Sequence, residues 1–137
     1  MDNNNRYITF SLGGMIFEYD NEKNHKNIEK HGISFRSAAR VFFDYDRIEL
    51  YDEENSDSED RYNIIGDLSA GKAGLNVTSS DTIIGNVSLD SGREDILFVV
   101  YTERVRKKAD GKDVDVTRLI SARYATSFER GLYYGKY

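Results

Sequence analysis

Arg118-Leu119-Ile120-Ser121-Ala122-Arg123-Tyr124-Ala125-Thr126-Ser127-Phe128-Glu129-Arg130 decides how this chain is read. Its first half has the β-branched and aromatic content of a strand that carries two arginines. Thr126-Ser127-Phe128-Glu129 has the spacing of a capping box, so a helix is predicted from about Ser127 to Tyr134. Arg118 and Arg123 are five positions apart, and on a regular strand that separation turns them to opposite faces. A bulge or a strand end near Ser121-Ala122 is needed before both can line one surface.

Upstream, Ile96-Leu97-Phe98-Val99-Val100-Tyr101-Thr102 is the most β-prone run and reads as a central strand buried on both faces. The charged turn around Asp110-Gly111 returns the chain as Val114 to Ala122, a hairpin partner. At the N-terminus, Tyr7 to Leu12 and Met15 to Tyr19 flank Gly13-Gly14, another hairpin signal. Asp20 suits an N-cap, and the polar segment Asn21 to His31 has Ile28 as its one strong apolar residue, so that helix rests on its cap and on Gly32 as its stop. Ser34 opens a second helix, with Phe35, Ala38, Ala39 and Phe42 as a core-facing stripe ending at Asp44 to Asp46. Arg47 to Tyr51 and Arg61 to Gly66 are short strands separated by an acidic loop. The pattern loosens over 67–95, where an inserted strand or hairpin is expected. The expected fold is α+β over one domain of residues 1–137: an antiparallel β-sheet with two N-terminal helices and a C-terminal helix, the helices on one face.

A chain of 137 residues with 39% hydrophobic and 31% charged content has the make-up of a folded, water-facing domain. It has no cysteine, which excludes disulfides and thiolate metal sites. With no apolar run of membrane-spanning length and no signal-type segment, the cytoplasm is the default location. The net charge is −5 and uneven: residues 96–137 carry nine Lys/Arg against five Asp/Glu, whereas 44–60 holds nine acids and one arginine. Overall acidity argues against non-specific nucleic-acid binding but leaves room for a local basic face.

No zinc signature, P-loop, dinucleotide fingerprint or nucleophile elbow is present, so neither a cofactor nor a metal is expected. The acidic loop Asp52 to Asp60 lacks the glycine and spacing of a calcium loop. What remains are charged side chains on strands: Arg61, Arg104, Arg118, Arg123 and Arg130, with Glu59, Glu103 and Glu129. Guanidinium forks match phosphate oxygens. Converging on one face, they could stabilise the charge that builds when an RNA 2′-hydroxyl attacks its own phosphate, with a Glu or His taking the proton. DNA lacks that hydroxyl. Each arginine alone reads more readily as an exposed ion pair, and His31 beside Gly32 equally well as a helix C-terminal residue facing the last carbonyls.

Three groups of motifs carry a family resemblance. They are Phe17-Glu18-Tyr19-Asp20 with Lys30-His31-Gly32-Ile33-Ser34-Phe35, then Glu59-Asp60-Arg61-Tyr62-Asn63-Ile64-Ile65-Gly66, then Ile120-Ser121-Ala122-Arg123-Tyr124-Ala125-Thr126. In that order the chain resembles BrnT-type toxins of BrnT/BrnA type II toxin–antitoxin pairs. The resemblance implies a RelE-like ribonuclease fold and an RNA endonuclease that inhibits translation by cleaving mRNA. It further implies a BrnA-like ribbon-helix-helix antitoxin as partner, with operator DNA bound only through that antitoxin. Matched by motif, Glu59, Arg61, Arg118 and Arg123 are the catalytic candidates. His31, Arg104, Glu129 and Arg130 are the RNA-binding ones. The alternative is a diverged, non-catalytic relative that acts only as a protein-binding partner. Residues 1–16 and about 67–95 depart from the family pattern, as does the long hairpin from Arg104 to Asp115.

Overall fold

A computed structural model describes residues 6–69 and 95–135. Six strands form one sheet: β1 (Tyr7–Leu12), β2 (Met15–Asp20), β3 (Ile48–Tyr51), β4 (Tyr62–Asp67), β5 (Ile96–Lys107) and β6 (Asp113–Tyr124). Their order across the sheet is β1-β2-β6-β5-β4-β3. The helices are α1 (Asn21–His31), α2 (Phe35–Ala38) and α3 (Ser127–Tyr133), with a 3-10 segment at Ala39–Phe43. The inserted strand or hairpin expected around 67–95 lies almost wholly outside the described residues.

Two expectations are corrected. The sheet is mixed, because β2 runs parallel to β6, with Phe17, Glu18 and Tyr19 opposite Thr117, Arg118 and Leu119. The remaining neighbours are antiparallel. Nor do the helices share one face. Ile33, Phe35, Ala38, Ala39, Val41 and Phe42 from the α1–α2 region pack on Phe17, Ile64, Val99, Leu119 and Ala122. Leu132 and Tyr133 of α3 pack on Ile65, Ile96 and Phe98, whose side chains leave the opposite surface. The strands therefore carry apolar residues on both sides. Among the described residues α3 covers only one end of the second face, and the remainder is lined by charged side chains.

The helical stripe after Ser34 is buried as expected, but it does not form one helix. Ser34 caps α2, its Oγ accepting from the Ser37 amide at 3.0 Å. The chain then tightens into the 3-10 turn, which lies against β4 so closely that a Cβ on Gly66 would come within 2.9 Å of Val41 Cβ.

Polar groups, not apolar ones, fasten α1. Asp20 caps it, Oδ1 accepting from the Glu22 and Lys23 amides. Gly32 ends it at φ 73°, its amide returned to Ile28 O. Ile28 faces outward, 41% exposed, so it is no anchor. Asn27 is buried instead: its Nδ2 donates to Ile33 O and Ala122 O, and its Oδ1 accepts from Ala122 N. Asn24 Oδ1 accepts from the Phe35 amide at 2.8 Å. The described β2–β6 pairing stops at Leu119, and β2 turns into α1. Asn27 then does for the edge of β6 what a neighbouring strand would have done.

Candidate functional site

The register of β5 and β6 fixes where the arginines go. Val100 is opposite Ser121 and Tyr101 is opposite Leu119, so Ile120 has no partner. That extra residue is a β-bulge, and it reverses the parity of everything beyond it. Leu119 and Ala122 both enter the core under α1 and α2. Arg118 and Arg123 are consequently on one face, the one that α3 partly covers.

Along that face lie three ion-pair groups. In the first, Glu18 on β2 is only 4% exposed and accepts from two strands at once. Arg118 Nε is 2.6 Å from its Oε2, and Arg106 Nη2 is 2.7 Å from the same oxygen. Burial would raise the Glu18 pKa; the hydrogen bonds from Arg106 and Arg118 outweigh it and hold the carboxyl below the usual carboxylate range. The Arg118 guanidinium also stacks on the Tyr7 ring, 4.3 Å from its centroid.

In the second group Glu59 joins Arg104, at 2.6 Å, to Arg61, at 3.6 Å. Thr102 Oγ1 donates to Asp60 O at 2.6 Å and ties the loop before β4 to β5. A cavity of about 170 Å³ opens there beside Glu59, Asp60, Thr102 and Arg104. Thr102 is directly opposite Arg118, so Arg118 and Arg61 flank it across β6, β5 and the start of β4.

The third group is at the far end of β6. Arg123 Nη1 and Nη2 reach Glu129 Oε1 and Oε2 at 2.8 and 3.0 Å, a two-pronged pair, and the guanidinium lies over Phe98. Glu129 completes the capping box with Thr126. Burial pushes its pKa up, but the Arg123 and Thr126 contacts prevail and the net shift is downward. His31 ends α1 close by. Its imidazole is held below the usual histidine range by burial first, then by the charges of Lys30 and Arg123. Arg130 points back to its own helix start, donating to Ala125 O and Ser127 Oγ.

The eight candidates thus fall into separate groups. Glu59, Arg61 and Arg104 are together; Arg123 and Glu129 are together, with His31 near enough to feel the Arg123 charge; Arg130 turns back on its own helix start; Arg118 is with Glu18 and Arg106, neither of which had been singled out as a candidate. Both were legible: Glu18 alternates with the core residues Phe17 and Tyr19, and Arg106 shares the parity of Arg104. Glu103, by contrast, is on the face that α1 and α2 pack against, where it accepts from Thr117 Oγ1. A larger cavity of about 650 Å³ lies there, between Met15, Glu103, Val105 and Thr117. Counted over the three groups, five arginines meet three glutamates, so these groups together keep surplus positive charge on an acidic protein. No three His, Cys, Asp or Glu side chains among the described residues gather as a metal-binding group. No helix among them is long and apolar enough to cross a membrane.

Residues 19–80 match a family described as ribonuclease toxin, BrnT, of type II toxin–antitoxin system. The match covers 62 of the 137 residues, and what the chain is similar to there is the class of type II toxin–antitoxin ribonuclease toxins. Within that class the likeness to BrnT-type toxins carried by the motifs is shown, across a segment holding His31, Glu59 and Arg61. Arg104, Arg106, Arg118, Arg123 and Glu129 lie beyond the matched stretch. No curated protein matches the chain.

Proposed function

We propose that this chain is the toxin of a type II toxin–antitoxin pair, an RNA endonuclease of RelE-like fold that stops translation by cleaving mRNA without a metal ion. The carrying observation is the single face on which the Ile120 bulge aligns Arg118 with Arg123 beside Arg61 and Arg104. Rows along a strand are about 3.3 Å apart, so the rows of Arg123 and Arg118 are about 13 Å apart, a span of about two nucleotide steps along one strand and not of a single oxygen cluster. Arg61 and Arg118 hold the RNA on either side of Thr102, and Arg123 faces the phosphate that reacts.

His31 is the proton acceptor. Its depressed pKa keeps the imidazole neutral at neutral pH, the form that accepts a proton. The 2′-hydroxyl proton passes to His31, the 2′ oxygen bonds to phosphorus, and the bond to the 5′ oxygen breaks as that oxygen takes a proton from water. A 2′,3′-cyclic phosphate and a 5′-hydroxyl result. Arg123 opposes the charge that builds on the phosphate oxygens. Glu59, with both oxygens engaged by arginines, orients Arg61 and Arg104. The partner in this reading is a BrnA-like ribbon-helix-helix antitoxin, which carries the operator-DNA contacts.

The test is incubation of the purified protein with RNA, with and without chelator, alongside expression in cells lacking antitoxin. Cleavage that persists in chelator and leaves cyclic phosphate ends is expected, with growth arrest relieved by Arg123→Ala or Arg61→Ala in a folded protein. Cleavage abolished by chelator overturns the metal-free chemistry. Full arrest by both variants overturns the site.

A further inference from the structure

Glu18 binds both of its arginines by the same edge. Arg118 presents Nε and Nη2, each 2.6 Å from Oε2. Arg106 presents Nε at 3.3 Å from Oε1 and Nη2 at 2.7 Å from Oε2. In both cases the guanidinium edge carrying Nη1 is turned away from the carboxylate. Neither Nη1 has a protein partner among the described residues. A carboxylate this buried, with two cations from different strands on it, fixes those two forks relative to each other before anything binds. The trio has two positive charges and one negative, so it still attracts an anion. The Tyr7 ring fixes the plane of Arg118 from β1, a strand that precedes the family match.

We propose that the Nη1 edges of Arg106 and Arg118, held by Glu18 and Tyr7, form a subsite for an RNA backbone phosphate that flanks the cleaved bond. This rests on the ribonuclease reading above. The subsite is flanking because its row is about four residues, or roughly 13 Å, from that of Arg123 along β6 once the bulge is discounted. Arg106 is the added phosphate contact; Glu18 and Tyr7 are positioning residues. Binding at a phosphate that does not react contributes equally to ground and transition states, so it lowers KM and leaves kcat alone.

The experiment uses the full chain and a fluorescein-labelled 2′-O-methyl RNA of mixed sequence, which lacks the attacking hydroxyl and cannot be cleaved. Anisotropy gives Kd across a salt series, and cleavage of the matching unmodified RNA gives kcat and KM. Arg106→Gln is expected to raise Kd and KM about tenfold and to reduce the slope of log K against log salt by about 0.7, the value for one phosphate on a single strand. Tyr7→Leu raises KM with kcat unchanged, and Tyr7→Phe restores it. Circular dichroism confirms that each variant is folded. A wild-type protein that neither binds nor cleaves RNA overturns the ribonuclease reading and the subsite with it. A wild-type protein that does both, with Arg106→Gln matching it in Kd and salt slope, overturns the subsite alone. A fall in kcat matching the rise in KM places Arg106 at the reacting phosphate and overturns the flanking assignment.

Discussion

Arg118 and Arg123 are on the same face of β6 although five positions separate them, because Ile120 is opposite nothing on β5. Without that extra residue the two guanidiniums would leave opposite sides of the sheet. One would enter the core beneath α1 and α2, where a charge without partners is strongly disfavoured. The bulge both spares the core that charge and assembles the basic face.

Removal of the Asn27 amide should unfasten α1 from β6. Asn27→Ala leaves the Ala122 N–H and C=O and the Ile33 C=O without their partner in a buried place. The expected loss of stability is about 3 kcal/mol, from a penalty of roughly 1–3 kcal/mol for each buried group left unpaired. Denaturant unfolding measures it. A loss under 1 kcal/mol would mean that water reaches that edge.

Gly66→Ala introduces a methyl group 2.9 Å from Val41 Cβ, where the 3-10 turn crosses β4. Neither backbone is free to retreat, so overpacking of about 1–3 kcal/mol is expected. A thermal midpoint equal to that of the wild type would refute the close approach.

The Glu18 carboxyl has a folded pKa below its ordinary 4.5. A depressed carboxylate pKa adds stability that is complete above the unfolded value and is lost as pH falls through the folded one. Wild-type stability should therefore drop more steeply than that of Glu18→Gln as pH is lowered from about 5. The gap between them should close in strong acid. Parallel stability curves over that window would show that the two arginines do not hold Glu18 ionised.

His31 titrates below its ordinary 6.5, with Arg123 among the causes. Its NMR titration should shift upward in Arg123→Gln, since a neighbouring positive charge is gone. In the cleavage reaction the rate should fall on an acid limb below pH 6.5, as the imidazole protonates and can no longer accept a proton. A His31→Gln protein that retained both the rate and that limb would exclude this residue as the base.

Local chemistry made much of the fold readable. The Gly13-Gly14 hairpin, the Asp20 and Ser34 caps, the long β5 and the Thr126 capping box each follow from neighbours in the chain. The parallel pairing of β2 with β6 does not, because a strand's pattern names its buried face and not its neighbour. The fastening of α1 was hidden for another reason: its one strong apolar residue, Ile28, faces outward, and the contacts are made by Asn24 and Asn27, polar residues that no apolar pattern marks. Strand parity showed that a bulge or a strand end was required near Ser121-Ala122, and the structure has the bulge, at Ile120. The site was legible as a set of arginines but not as three groups, since which carboxylate meets which guanidinium depends on the strand order.

The Glu18 to Arg118 contact closes a loop of 100 positions. Most of the chain must exist before its two ends can meet, and so long a closure delays folding. During synthesis β1, β2 and α1 leave the ribosome well before β6 and α3. The groups of Arg118 and Arg123 therefore have no form on a growing chain before β6 emerges. Whatever these arginines do to RNA, a nascent copy cannot do it to the message that is encoding it until β6 has been made and has met β2.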